Sequence, residues 1–98
     1  MVADTPLFAV LRDSIRSESP VALATVIDGA NVGAKLLVRP GHDPMGSLGD
    51  TDLDRVVERD VIGELAAGRT GIRHYGPQGQ AREDDVSVFI ESFAPPPQ

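Results

Sequence analysis

The stretch Val21-Ala22-Leu23-Ala24-Thr25-Val26-Ile27 decides the fold. Along an extended strand, alternation sends Val21, Leu23, Thr25 and Ile27 to one face and Ala22, Ala24 and Val26 to the other. Both sets are largely apolar, which predicts a strand covered on both sides at the centre of a sheet. The small Ala22 and Ala24 leave room for a helix to approach closely on their side. Downstream, Asp28-Gly29-Ala30-Asn31-Val32-Gly33 supplies the glycines and asparagine of a turn. Ala34 to Arg39 then predicts a second strand, Gly41-His42-Asp43-Pro44 a second turn, and Met45 to Leu48 a short third strand. Two consecutive hairpins make this part of the sheet antiparallel.

Helices flank this core in the sequence. Thr5 before Pro6 reads as an N-cap, because proline suits the first helical position. Leu7, Phe8, Leu11 and Ile15 recur at helical spacing, so a helix is predicted from Pro6 to about Ser17, with Pro20 ending any continuation. Thr51 or Asp52 is the expected cap of a second helix over Leu53 to Ala67. Its apolar stripe is Leu53, Val57, Val61 and Leu65, widened by Val56, Ile62 and Ala66, and Gly68 follows as the C-terminal stop. Thr70 to Tyr75 and Val86 to Phe93 predict two last strands, joined by a loop from Gly76 to Asp85. Pro95-Pro96-Pro97 makes residues 94–98 an extended tail. The expected fold class is α+β: a small mixed, mainly antiparallel sheet packed with two helices in the order α-β-β-(β)-α-β-β, forming one domain over residues 1–98.

Composition narrows the function. The 98 residues are 41% hydrophobic and 24% charged, with fifteen acidic against nine basic side chains and a net charge of −6. That balance argues against a nucleic-acid backbone or an anionic membrane surface as partner. With three Phe, one Tyr and no Trp, there are too few aromatics for a base-stacking platform. The absence of cysteine excludes disulfides, thiolate nucleophiles and sulfur-ligated metal centres. No apolar run is long enough to span a bilayer and no signal-peptide pattern opens the chain, so a cytoplasmic location is expected.

Few local motifs carry chemistry. Gly46-Ser47-Leu48-Gly49 leads directly into a helix, whose N-terminus attracts anions, yet it lacks the lysine and spacing of a phosphate loop. Asp50, Asp52 and Asp54 follow at once and oppose a phosphate. Asp50-Thr51-Asp52-Leu53-Asp54 superficially resembles the start of a calcium loop, but Arg55 stands at the required glycine and Val61 at the required bidentate glutamate. His42 and His74 show no ligand spacing, and no serine sits in a Gly-x-Ser-x-Gly elbow. Arg82-Glu83-Asp84-Asp85 reads as a solvated loop. Lys35, the sole lysine, fits the protection of a strand edge.

Taken in order, Pro20-Val21-Ala22-Leu23-Ala24-Thr25-Val26, Val32-Gly33-Ala34-Lys35-Leu36-Leu37-Val38, Gly46-Ser47-Leu48-Gly49 and Val86-Ser87-Val88-Phe89-Ile90-Glu91 resemble the N-terminal domain of the XdhC/CoxI family. The resemblance runs from about residue 7 to residue 95. It implies an accessory protein, not an enzyme, that serves maturation of a molybdenum hydroxylase of the xanthine dehydrogenase or carbon monoxide dehydrogenase type. It implies molybdenum cofactor as the ligand to be bound and inserted, a hydroxylase subunit as partner, and self-association as a homodimer. Longer family members add a nucleotide-binding-like domain.

The sequence departs from the family pattern at two places. Where the family continues Gly-Ser-(Ile/Val)-Gly-Gly-Gly-Cys-(Leu/Val)-Glu, this chain has Asp50 and Thr51 for the glycines, Asp52 for the cysteine and Asp54 for the glutamate. Where a Cys-Gly-Gly element precedes the last strand, it has Arg82-Glu83-Asp84. A thiolate is a soft ligand and a carboxylate a hard one. The alternative expectation is therefore a cofactor-free interaction or dimerisation module. A surviving ligand-facing surface is expected where Gly33 and Lys35 approach Ser47, Gly49, Asp52 and Asp54, with no metal and no catalytic residue assigned.

Overall fold

The computed structural model describes residues 5–76 and 86–93. Its elements are α1 (Thr5–Arg16), β1 (Val21–Asp28), β2 (Lys35–Val38), β3 (Met45–Ser47), α2 (Thr51–Ala67), β4 (Gly71–Tyr75) and β5 (Val86–Phe93). The five strands form one sheet in the order β3-β2-β1-β5-β4. All four described pairings are antiparallel, so no parallel pair enters what the sequence suggested was a mixed sheet. The loop expected after Gly76 and the proline tail lie outside the described residues.

β1 is the central strand, paired with β2 on one side and β5 on the other. Its two faces serve two cores. Ala22, Ala24 and Val26 pack with Leu36, Val38, Val88, Ile90 and the α2 residues Val57, Val61 and Leu65. Val21 and Leu23 pack with Leu37 and with Leu7 of α1. The helices therefore cover opposite faces, giving three layers. Ala22 and Ala24 are fully buried, and their missing bulk lets α2 lie close to the sheet. A bulge between Val26 and Asp28 shifts the register at the end of β1, where the chain turns toward β2.

The helices differ in detail from expectation. Within the described residues α1 is already helical at Thr5, the residue expected to cap it. Its inward line is Leu7, Val10 with Leu11, and Ser14, spaced by three or four residues, whereas Phe8 and Ile15 face solvent. In α2 the buried line is Val57, Val61 and Leu65, while Ile62 stays exposed because a 100° step per residue carries it off that line. The cap of α2 is Asp50, one residue earlier than the earliest expected. Asp50 has extended backbone, and its carboxylate accepts from the Asp52 and Leu53 N–H groups. Gly68 closes α2 in the left-handed conformation, donating to the Leu65 carbonyl while Arg69 donates to Glu64.

Candidate functional site

The β1–β2 turn, β3 and the start of α2 converge at one corner of the sheet. Register pairs Lys35 with Ser47 and Leu36 with Gly46. Gly46 has φ +86°, and a Cβ there would collide with the Lys35 carbonyl oxygen, so only glycine fits between the strands. Gly49 has φ +101°, and a Cβ there would meet the Asn31 side chain. The turn and the glycine loop are thus in direct contact, with Asn31 itself held at φ 63°.

Asp54 organises the loop. One carboxylate oxygen accepts the Ser47 hydroxyl at 2.6 Å and the other accepts the Leu48 N–H at 2.7 Å. Ser47 Oγ in turn accepts the Gly49 N–H at 3.0 Å. Asp50 takes the Asp52 N–H at 2.8 Å and the Leu53 N–H at 3.2 Å. Of the donors that a glycine loop before a helix offers to an anion, the Leu48, Asp52 and Leu53 N–H groups are therefore taken by the chain's own carboxylates and the Gly49 N–H by the Ser47 hydroxyl.

The six expected residues divide accordingly. Ser47, Gly49 and Asp54 form one hydrogen-bonded group. Asp52 points outward toward Arg55 at 3.6 Å, with its side chain 81% exposed. Lys35 turns back to the Gly33 carbonyl at 3.0 Å and lies over the Phe8 ring, 5.9 Å from its centroid. Gly33 donates its N–H to Val26 and closes the turn. The side chain of Lys35 is thus joined to Gly33, while the β2–β3 pairing sets its backbone directly opposite Ser47.

A second polar cluster was not foreseen. Tyr75, 5% exposed, donates its hydroxyl to Asp60 at 2.9 Å. Arg73 pairs with Glu64 and reaches Asp60 at 3.9 Å, and Arg69 bonds Glu64 at 2.7 Å. Hydrogen bonds from Arg69 and then Arg73 hold the Glu64 carboxyl below its ordinary range. The bond to Glu64 keeps the Arg73 guanidinium charged still more firmly. Burial first, and then the bond to Asp60, push the Tyr75 phenol up. The signal in the sequence is Asp60 and Glu64 four apart on a helix, with Arg73 and Tyr75 two apart on a strand. These spacings align each pair without revealing that the pairs meet. The cluster fastens α2 to β4. Elsewhere His74 Nδ1 lies 2.9 Å from Ser87 Oγ, a strand-to-strand contact that no described carboxylate joins.

Among the described residues no group of three or more His, Cys, Asp or Glu is placed to hold a metal ion. No helix among them is long and apolar enough to cross a membrane.

The model of the XdhC and CoxI family matches residues 14–76, from the last turn of α1 to just past β4. No curated protein matches the sequence. Among solved structures, one described as a xanthine dehydrogenase from Bacillus halodurans is similar, with a TM-score of 0.63 and 18% sequence identity. The likeness covers 85% of this chain and 29% of that chain, and at such identity it shows a shared fold.

Proposed function

The chain belongs to the XdhC and CoxI family, and from that premise we propose that it is an accessory protein in the maturation of a molybdenum hydroxylase, working through protein contacts. Family membership supports the association with a hydroxylase. The engagement of the glycine loop by Asp54 supports contact as the mode of action.

A molybdenum cofactor carries a phosphate and a sulfur-ligated metal. The residues at this corner do not fit it. The Leu48 N–H is bonded to Asp54 and the Gly49 N–H to Ser47, while Asp50, Asp52 and Asp54 surround the helix start with negative charge. A carboxylate in a loop of backbone donors is an internal anion, and it would have to be displaced before an external one entered. No thiolate is present to replace it. This favours the cofactor-free reading over cofactor insertion by this chain.

The role proposed here is non-enzymatic and cytoplasmic, exercised by residues 1–98 as one domain that associates as a homodimer. Gly33, Lys35, Ser47, Gly49, Asp52 and Asp54 form the surface offered to the hydroxylase subunit. Titration with molybdenum cofactor under reducing conditions separates the two modes. No binding, together with co-purification of a hydroxylase subunit, is expected. Stoichiometric cofactor binding restores cofactor delivery as the mode.

A further inference from the structure

Among the described residues, the sheet ends at β3 on one side and at β4 on the other. β3 is three residues long and offers little to pair with, whereas β4 runs for five, four of them exposed. The direction of the backbone groups along β4 follows from its neighbour. Ser92 of β5 sends its N–H toward β4, to Thr70 Oγ1 at 3.0 Å, and such groups alternate in direction along a strand. Val86, Val88 and Ile90 therefore bond across to Tyr75, Arg73 and Gly71, their register partners. The bonds from Val26 to Ala34 and from Gly33 to Val26 fix the same alternation from the far side of β1. Ile72 and His74 are left directing N–H and C=O out of the sheet.

The side chains along this edge suit pairing. Ile72 is 55% exposed and lies in register with Phe89 of β5 and, through it, with Thr25 of β1. The core beneath α1 ends at Leu23 and Phe93, so this stripe lies beyond the helix and runs out to the edge. A charged side chain commonly guards such an edge. Here Arg73 is drawn back to Glu64 and Asp60 on α2. Gly71 has open space where a Cβ would stand and borders a groove of about 390 Å³.

We propose that β4 pairs with β4 of a second copy, antiparallel and centred on Ile72, so that two five-stranded sheets become one. This rests on the homodimer proposed above and assigns that dimer's interface. A two-fold axis needs a patch that complements itself. Centred on Ile72, the two isoleucines meet at the axis and exchange both backbone bonds, and the apolar stripes become continuous. Each Arg73 then stands opposite Gly71 of the other copy, where no side chain competes, and each His74 opposite Thr70. Centring on Arg73 or on His74 would set two side chains of like charge directly opposite each other, which is destabilising. Main-chain bonds supply the affinity in strand addition, and the alternation of side chains sets the register.

Cross-linking and sedimentation test this in a chain that has no cysteine of its own. At a hydrogen-bonded antiparallel pair the Cα atoms are about 5.5 Å apart, within disulfide reach. Ile72→Cys is therefore expected to form a covalent dimer under mild oxidation. Ile62→Cys, at a position 42% exposed but on α2, is expected to stay mostly monomeric. The parent is expected to sediment as a dimer at about 100 μM, and Ile72→Lys to weaken association about tenfold or more. If Ile72→Lys does not fold, the ratio of cross-linking at positions 72 and 62 decides. A parent dimer that Ile72→Lys leaves intact, or that cross-links equally at both positions, overturns the β4 interface while the homodimer stands. A parent that stays monomeric overturns both.

Discussion

The Asp54 carboxylate reaches back seven residues to the Ser47 hydroxyl at 2.6 Å, fastening the first turn of α2 to the last residue of β3. The same carboxylate takes the Leu48 N–H, and Leu48 is 1% exposed. One side chain thus fixes both the loop conformation and the direction in which α2 leaves the sheet. In the proposed role it also occupies the place of a ligand.

Asp54→Ala is expected to lower stability by about 1–3 kcal/mol, because it strips an acceptor from a partly buried amide and a hydroxyl. Asp52→Ala removes only an exposed ion pair and is expected to change stability by less than about 0.5 kcal/mol. Urea unfolding of both variants checks this, and equal losses would show that Asp54 does not organise the loop.

Glycines at two places should respond oppositely to alanine. Gly49→Ala forces a side chain into positive φ and against Asn31, and is expected to cost about 1–3 kcal/mol. Gly63 lies within α2 with open space where a Cβ would stand. Gly63→Ala is expected to stabilise by about 0.5–1 kcal/mol through helix propensity. Thermal unfolding compares them directly.

Ala24→Leu probes the closeness of α2 to the sheet. Ala24 is fully buried among the residues that α2 covers, so added methylenes must push the layers apart. A loss of about 1–3 kcal/mol is expected, and a neutral result would contradict the close packing.

How far this arrangement could be read in the sequence depends on distance along the chain. The two-sided apolar pattern of Val21 to Ile27 revealed the central strand because alternation is a local property. The Val57, Val61 and Leu65 line was equally plain. Phe8 and Ile15 misled because α1 touches the sheet along a narrower line than its apolar residues suggest, with Ser14 taking an inward place. Asp50, Thr51 and Asp52 are all competent caps, and the loop from β3 selects the first. The bond from Asp54 to Ser47, and that from Tyr75 to Asp60, depend on angles between elements that no local spacing encodes.

The α2–β4 cluster gives stability a pH dependence of opposite sign at its two ends. Glu64 has its folded carboxyl value below the ordinary 4.5, so its contribution is present above that pH and is lost as pH falls through the folded value. Glu64→Gln is expected to lessen the loss of stability on the acid side. Tyr75 has its folded phenol value above the ordinary 10.0, so its contribution is present below that pH and fades as pH rises toward the folded value. Tyr75→Phe is expected to flatten the alkaline side while leaving the acid side unchanged. Urea unfolding across pH, for the parent and both variants, reads the two limbs separately.

The most direct measurement of the proposed role is molybdenum hydroxylase activity per unit of hydroxylase protein in cells lacking this chain. The expected result is a fall in specific activity that re-expression of the chain restores, with hydroxylase protein itself still present. Specific activity unchanged by removal of the chain would contradict an accessory role in hydroxylase maturation.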